Sequence, residues 1–575
     1  MSWQNKEHYV RLRSGERPSP RSEFGRSPTR AALVFPNSYY VGMSNLGFHT
    51  IYRIANSCAG LLCDRFFPLD WSSSEPPLSF ECEKPLADFD VIAFSVAFEN
   101  DYVNVLRTLD LARVPFRSCQ RDDSHPLVIV GGAVTFMNPE PMADFADVIV
   151  VGEGEESAAK LFETICRLRA SPRAALLEAA ACIEGVYVPA LSPDGPPGPK
   201  PSNEKRGRME GGIAGDRIAR SSIVAADTEF GDTFLIEISR GCPYSCRFCA
   251  VGHCFPHHRS ARAADLLEIV ESRLGSRRLR PPVSRVGLVS SAVGSHPELD
   301  AICGGLRSMG LEIAVSSLRV DRLSDFMLRC LAESGTRTVT IAPEAGSQRL
   351  RLVVGKGVAE EQVLDGAARA VDHGISNVKL YFMVGLPTET GEDVEAIMDL
   401  VLKVRQTMDG RRRTRPMAGP EAAGPRVSAS GGEAGDERVI AGALTVSLSP
   451  FVPKPMTPFQ WSPMARPVDV KRKISMLRRG LGRLRGVRVT SETLKSAFLQ
   501  GILSRGGRDI GDFLEETYRN GGDWRRAASA VGLDLEACLG ERRLSETLPW
   551  QRMLGGGRLE ELAWEHRRAL SLVRE

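Results

Sequence analysis

The sequence holds no apolar run of the roughly 20 residues that a membrane span requires; runs such as VIVV at 148–151 stop far short. No apolar core follows the basic start MSWQNKEHYVRLRSGERPSP, so no export signal is visible and a cytoplasmic protein is expected. There is no strong excess of one charge either: a formal net charge of +3 over 575 residues gives no global field toward nucleic acid. The thirteen cysteines are scattered without a secretion signal, which argues against a disulfide framework. Beyond CRFC at 246–249 no second C-x2-C unit exists, which weakens a four-ligand zinc site. No repeat of solenoid length occurs.

What remains is ordinary globular composition, 42% hydrophobic and 25% charged, in a chain too long for one core. The fold class expected is α/β: a Rossmann-like parallel sheet, a partial (β/α)6 barrel of TIM type, and a small helical C-terminal domain. Strand candidates AALVF at Ala31, DVIAFSV at Asp90, PLVIVGG at Pro126 and DVIVVGEGE at Asp147 alternate with helical spacing over 30–190. Residues 1–29 form an N-terminal extension. A Pro-, Gly- and charge-rich stretch makes 191–228 a linker. Six more strand candidates, at Thr233, Ser284, Leu311, Thr338, Asn377 and Ala443, place the barrel over 229–465. Within it, 409–438 is too polar to offset the entropy of ordering and is expected to be a disordered insertion. From 466 to 575 helical patterns dominate. The basic stretch Lys471 to Arg488 reads as a solvated helix face, because Leu477, Leu481 and Leu484 recur at helical spacing with no aromatic stacking platform.

The chemistry concentrates in RGCPYSCRFCAVG at 240–252, where Cys242, Cys246 and Cys249 form a C-x3-C-x2-C run just after a strand. Three thiolates on one loop can hold three irons of a cubane cluster and leave the fourth open to an exogenous ligand. A zinc knuckle completed by Cys254, His253, His257 or His258 is the alternative. Cys254 is expected to be a packed or free thiol, since filling the open iron would abolish chemistry.

This motif resembles that of the radical S-adenosylmethionine (SAM) superfamily. The resemblance implies a [4Fe-4S] cluster on the three cysteines, SAM bound at the open iron, and reductive cleavage to a 5′-deoxyadenosyl radical. It implies an external electron donor such as flavodoxin or ferredoxin. Phe248 matches the aromatic position packed near the adenine. Ser316 and Arg319 follow the third strand of the barrel, Glu344 the fourth, and Lys379 lies within the fifth, positions at which the family contacts the methionine carboxylate or ribose; the bland alternative is that they satisfy turns. The family's Gly-Gly-Glu signature is absent from SSAVGSHPELD, so Ser290, Ser291 or main-chain carbonyls would serve the methionine amino group instead.

The segments AALVFPNSYYVGMSNLG, VIAFSVAFEN and VIVGGAVTFMNPEPMADFADVIVVGEGEE resemble the cobalamin-binding domain fused upstream of radical SAM barrels. The similarity to fused radical SAM proteins spans roughly residues 30 to 505, excluding the linker and the insertion. It implies cobalamin against Gly42, Ser44, Ser95, Gly131, Gly132, Gly152 and Glu153, whose glycines let a flat cofactor approach the backbone. The D-x-H-x-x-G signature is missing and His49 reads as packed or capping, so no histidine is expected beneath the metal. A domain that keeps the fold and binds nothing is the alternative. The function implied is methylation of an unactivated carbon; a methylthiotransferase would need a second cluster, for which Cys58, Cys63 and Cys82 are poorly spaced. A metal-containing scaffold without turnover is the non-enzymatic alternative.

Overall fold

The computed structural model describes residues 3–18, 27–68, 75–196, 212–255, 258–275, 283–315, 318–414 and 442–572. Its first sheet comprises β1 (Thr29–Val34), β2 (Leu61–Phe66), β3 (Val91–Ser95), β4 (Leu127–Gly131), β5 (Val148–Val150) and β6 (Val186–Tyr187), in the order β2-β1-β3-β4-β5-β6. β1 to β5 run parallel and β6 antiparallel to β5. The strands are buried nearly throughout, as a parallel sheet covered by helices on both faces requires. Four of them are the apolar runs read from the sequence. β2 (LLCDRF) is a fifth whose pattern is broken by Asp64 and Arg65. Arg65 is buried there because Glu16 accepts from its guanidinium at 2.7 and 2.8 Å and Glu81 at 2.5 Å. Chain order reverses between β1 and β3, and at such a switch point the carboxyl ends of the strands leave a crevice for a ligand.

The second sheet holds β7 (Thr233–Glu237), β8 (Arg285–Val289), β9 (Glu312–Val315), β10 (Thr338–Glu344), β11 (Asn377–Val384), β12 (Leu444–Pro450) and β13 (Val487–Ser491). All are parallel. β7-β8-β9 form one ladder and β10-β11-β12-β13 another, joined by the bridge between Leu318 and Ile341. The result is a partial barrel; among the described residues no pairing closes β13 onto β7. In β11, buried Val378, Leu380, Phe382 and Val384 alternate with half-buried Asn377, Lys379, Tyr381 and Met383. The period of two sends the first set under the helices and the second into the barrel.

β13 is one strand more than the six legible in the sequence, and it lies inside the stretch read as helical. The helix before it, Pro467–Leu481, sinks Val470, Ile474, Leu477 and Leu481 into the barrel core and leaves Lys471, Arg472, Arg478 and Arg479 exposed. Residues 409–414, the first of the stretch expected to be a disordered insertion, continue the helix Gly391–Thr414, with Arg405 donating to Asp409 one turn on at 3.0 Å. Residues 415–441 lie outside the described residues, as do 197–211 of the expected linker. The rest of that linker is not a free tether: Ile213, Ile218, Ile223 and Val224 are buried, and Val224–Ala225 pairs with Glu16–Arg17.

The C-terminal helices cover both units. Leu494–Arg505, Gly511–Arg519 and Trp524–Val531 pack Phe498, Ile502, Phe513 and Trp524 onto the core of the first sheet, whereas Gly556–Ser571 packs at the mouth of the barrel. No helix among the described residues is long and apolar enough to cross a membrane.

Candidate active site

β7 runs into a short antiparallel pair, Ser239–Arg240 with Arg259–Ser260, and the loop between them carries Cys242, Cys246 and Cys249. Gly241 opens this loop at φ 76°, in the left-handed region where a side chain is costly. The carbonyl of Cys246 accepts from the Cys249 amide at 3.1 Å, which closes a tight turn around two of the thiols. Cys246 is buried and its neighbours half-buried. Burial pushes the Cys246 thiol up to about 11, against the charges of Lys356 and Arg319, and raises Cys242 as well. Thiolates form here when a metal displaces their protons.

Among the described residues, no three His, Cys, Asp or Glu side chains approach closely enough to share one metal ion. Zinc needs its donors at a single centre, whereas a cubane takes each thiolate on a different iron. Three thiols spaced C-x3-C-x2-C on one loop are a donor set of the second kind. Two of the other zinc candidates are engaged elsewhere, whereas the buried Nε2 of His258 has no hydrogen-bond partner among the described residues. His253 contacts the Cys246 carbonyl through Nε2 at 3.1 Å and Arg558 through Nδ1 at 2.9 Å. Cys254 packs against an apolar cluster that includes Trp550 and Leu562, where burial pushes its thiol up to about 12. His257 lies outside the described residues. Changing Cys254 to Ser is expected to leave the metal content of anaerobically prepared protein unchanged, checked by elemental analysis.

Arg319, after β9, stacks 3.6 Å over the ring of Tyr244 from the cysteine loop and donates to Asp321 at 3.0 and 3.1 Å. Glu344 ends β10 at φ 68° and accepts from Lys356 Nζ at 2.6 Å. Both therefore face the loop already partnered, and their charges reach the Cys246 thiol. Ser290 lies 2.6 Å from the Ser239 hydroxyl. Phe248 packs against a small apolar cluster that includes Phe451, Phe459 and Ala569. Lys379 is only the third residue of β11, about 16 Å of strand short of its carboxyl end. Its Nζ sits 4.7 Å over Tyr381, lower in the barrel than the other four. Ser316 lies outside the described residues. Tyr244 and Lys356 were not singled out in the sequence; Tyr244 lies within the cysteine motif and Lys356 shortly after Glu344.

A cavity of about 420 Å³ lies over the carboxyl ends of the first sheet, with Ser95, Gly131, Gly132, Gly152 and Glu153 on one side. Its opposite wall is Ala250, Val251, Cys254 and Phe255, the segment that directly follows Cys249. Gly152, at φ 85°, has no atom within 4 Å of where a Cβ would stand, so the cleft stays open above it, while Gly132 would drive a Cβ into the Val96 backbone. Thr50 lines the cleft with a buried hydroxyl that has no partner among the described residues. Gly42 and Ser44 do not line it. Gly42 is packed against Phe35 and Phe67, and Ser44 is spent on the Tyr40 carbonyl and the Glu229 amide. His49 is also turned away, its Nε2 on the Met43 carbonyl at 3.0 Å and its Nδ1 accepting from the Ser222 amide at 3.3 Å. Burial lowers its pKa to about 4.

Arg240 welds the two units together. It meets Glu153 at 3.1 Å and Glu155 at 2.6 Å from the first sheet and Glu237 at 2.8 Å from β7, and Arg259 adds a second ion pair to Glu153. Burial alone would lower the Arg240 pKa; these carboxylates raise it instead. Phe136 and Phe255 meet across the same seam with ring centroids 4.8 Å apart.

A three-thiol loop at the mouth of a parallel β/α barrel defines the class: an iron–sulfur enzyme framework with one coordination position left for a cosubstrate. Residues 236–401 match the Radical SAM superfamily and residues 47–189 the family described as Radical SAM proteins, N-terminal. The chain belongs to the radical SAM superfamily, whose members use a [4Fe-4S] cluster and S-adenosylmethionine. It is 27% identical over 484 residues to the uncharacterized protein MJ0966 of Methanocaldococcus jannaschii, covering 84% of this chain and 90% of that one. It is 23% identical over 331 residues to the uncharacterized methyltransferase PH0819 of Pyrococcus horikoshii, covering 55% and 67%. The radical SAM methyltransferase TsrM of Kitasatospora setae, solved with cobalamin and a [4Fe-4S] cluster, shares the fold at a TM-score of 0.52 and 12% identity, over 88% of this chain and 99% of that chain.

Proposed function

We propose that this radical SAM enzyme is cobalamin-dependent and methylates an unactivated carbon, with Cys242, Cys246 and Cys249 holding the cluster. The observation that carries the reading is the shared wall: the segment leaving Cys249 also lines the glycine-floored cavity of the first sheet. When bound, the cluster and SAM supply a 5′-deoxyadenosyl radical that removes a substrate hydrogen, and a corrinoid supplies a transferable methyl group. The protein's own groups have narrower tasks. Arg319, held by Tyr244 and Asp321, offers a fixed cation to the methionine carboxylate. Glu344, held by Lys356, offers an acceptor to the ribose diol. Phe248 and the packed C-terminal helix keep water from the adenine side. Lys379 has the weakest claim of the set, being set low in the barrel.

The cavity suits a flat ring. Gly131 and Gly152 would let it approach the backbone, Thr50 offers a hydroxyl without a partner among the described residues, and the lining contains no histidine. Glu153 is already neutralised by Arg240 and Arg259, so the floor carries little net charge. The electron enters from an external donor of flavodoxin or ferredoxin type. The methylthiotransferase alternative needs three more cysteines at one site, yet Cys63 is buried within β2 and Cys58 faces Cys166.

Protein purified without oxygen should bind added hydroxocobalamin and form 5′-deoxyadenosine from SAM and a reductant. Ser95→Phe, which fills the cavity, should weaken corrinoid retention on the order of tenfold, since overpacking costs 1 to 3 kcal/mol, and should leave the iron content unchanged. Wild-type protein that holds iron but takes up no corrinoid would sink the cobalamin assignment. A lack of 5′-deoxyadenosine under several reducing systems would favour the scaffold.

A further inference from the structure

The helix Gly556–Ser571 touches the cysteine loop at two points. Glu565 accepts from Arg247 Nε at 2.9 Å, and Arg247 also donates to the carbonyls of Leu352 and Val353 at 2.9 Å each. Arg558 Nη2 lies 2.9 Å from His253 Nδ1, and His253 Nε2 lies 3.1 Å from the carbonyl of Cys246. Residues 558 and 565 are two turns apart, so a single helix face makes both contacts. Between them Leu562 is buried, and His566 and Ala569 follow it under the barrel mouth.

These partners fix the state of His253. A carbonyl only accepts, so Nε2 carries the proton; a guanidinium only donates, so Nδ1 carries none. The ring is neutral and in one tautomer. It joins a cation on the last helix to the carbonyl that already accepts from Cys249. Glu561 pairs with Arg558 at 2.7 Å and steadies it.

We propose that this helix is a clamp on the metal centre, in which Arg558, acting through neutral His253, is a positioning residue for the Cys246–Cys249 turn and shifts the balance toward the reduced cluster. The inference rests on the cluster assignment above. A nearby cation and a hydrogen bond drawing density from the cysteine turn both favour the more negative, reduced state, since net charge and hydrogen bonding set cluster potentials.

The test is an EPR-monitored redox titration of the full chain, reconstituted with iron and sulfide, with iron per chain measured on every sample. His253→Leu and Arg558→Gln should move the midpoint to more negative potential. At one fixed potential the ratio of reduced to oxidised cluster should fall about tenfold, which is 59 mV for a one-electron couple. His253→Gln should stay near the wild type, because its amide donates to the Cys246 carbonyl and its oxygen accepts from Arg558. Full iron loading with unchanged midpoints in His253→Leu and Arg558→Gln would overturn the clamp. Arg558→Gln leaves the loop itself untouched and keeps the test readable if His253→Leu fails to load. Absence of iron from the wild type would strike the cluster assignment instead.

Discussion

Replacing Cys246 with Ala should strip the protein of its iron–sulfur absorption and lower 5′-deoxyadenosine formation by more than about a hundredfold. Loss of an outer hydrogen-bond partner already costs a metal site 10- to 100-fold, so loss of a ligand lies at or beyond the upper end of that range. Cys246 is the informative position because it is the buried member of the three and its carbonyl anchors the turn. The substitution removes one sulfur and leaves the backbone contacts, including that from Arg247 N to the Val354 carbonyl at 2.9 Å. The fold should therefore survive, with a melting temperature close to that of the metal-free wild type. Cys242→Ala and Cys249→Ala should behave alike, and Cys254→Ser should not. A Cys246→Ala protein with a full complement of iron would remove the basis of the proposed chemistry.

The contrast between the cysteines shows what a sequence can reveal. Cys242, Cys246 and Cys249 sit within eight residues on one loop, so their spacing is readable in the sequence alone. β1, β3, β4 and β5 were legible for a similar reason: each is a local apolar run, and parallel strands buried on both faces read as one. β2 was not, because its buried Arg65 depends on Glu16 and Glu81 at other points in the chain. β13 was hidden by its half-exposed edge pattern, with Arg488 and Thr490 leaving no apolar run. Within the cavity, the strand-end glycines could be named from the sequence, but the wall at 250–255 could not. Nothing local to AVGHCF says that it faces Gly152, and the weld at Arg240 joins residues 87 apart. Gly42 and Ser44 mark the same limit from the other side. They lie in a motif of the right kind, yet Gly42 is packed against phenylalanines and the Ser44 hydroxyl is held by main-chain groups, which only the tertiary arrangement decides.

Lys454→Met should cost about 3 to 5 kcal/mol of stability, the range for removing one partner of a buried ion pair. Lys454 belongs to the extended PFVPKPMTPFQW segment after β12, and it reaches Glu99, in the loop after β3, at 2.5 Å. Gln500 and Ser504 of the covering helix Leu494–Arg505 donate to the same carboxylate at 2.9 and 2.7 Å. Three parts of the chain thus meet on one buried charge. Burial by itself would raise the Glu99 pKa, but Lys454 and the hydrogen bonds outweigh it and hold the carboxyl below its ordinary value. In the wild type this site therefore contributes stability above the unfolded carboxyl pKa of about 4.3, and the contribution is lost as pH falls through the depressed folded value. Without Lys454, burial dominates and the folded pKa rises above the unfolded one. The variant then binds a proton on folding, so its deficit relative to wild type should shrink as pH is lowered from neutrality toward 5. Urea unfolding at a series of pH values reads both quantities. A parallel pH dependence in the two proteins would mean that Lys454 does not govern the charge on Glu99.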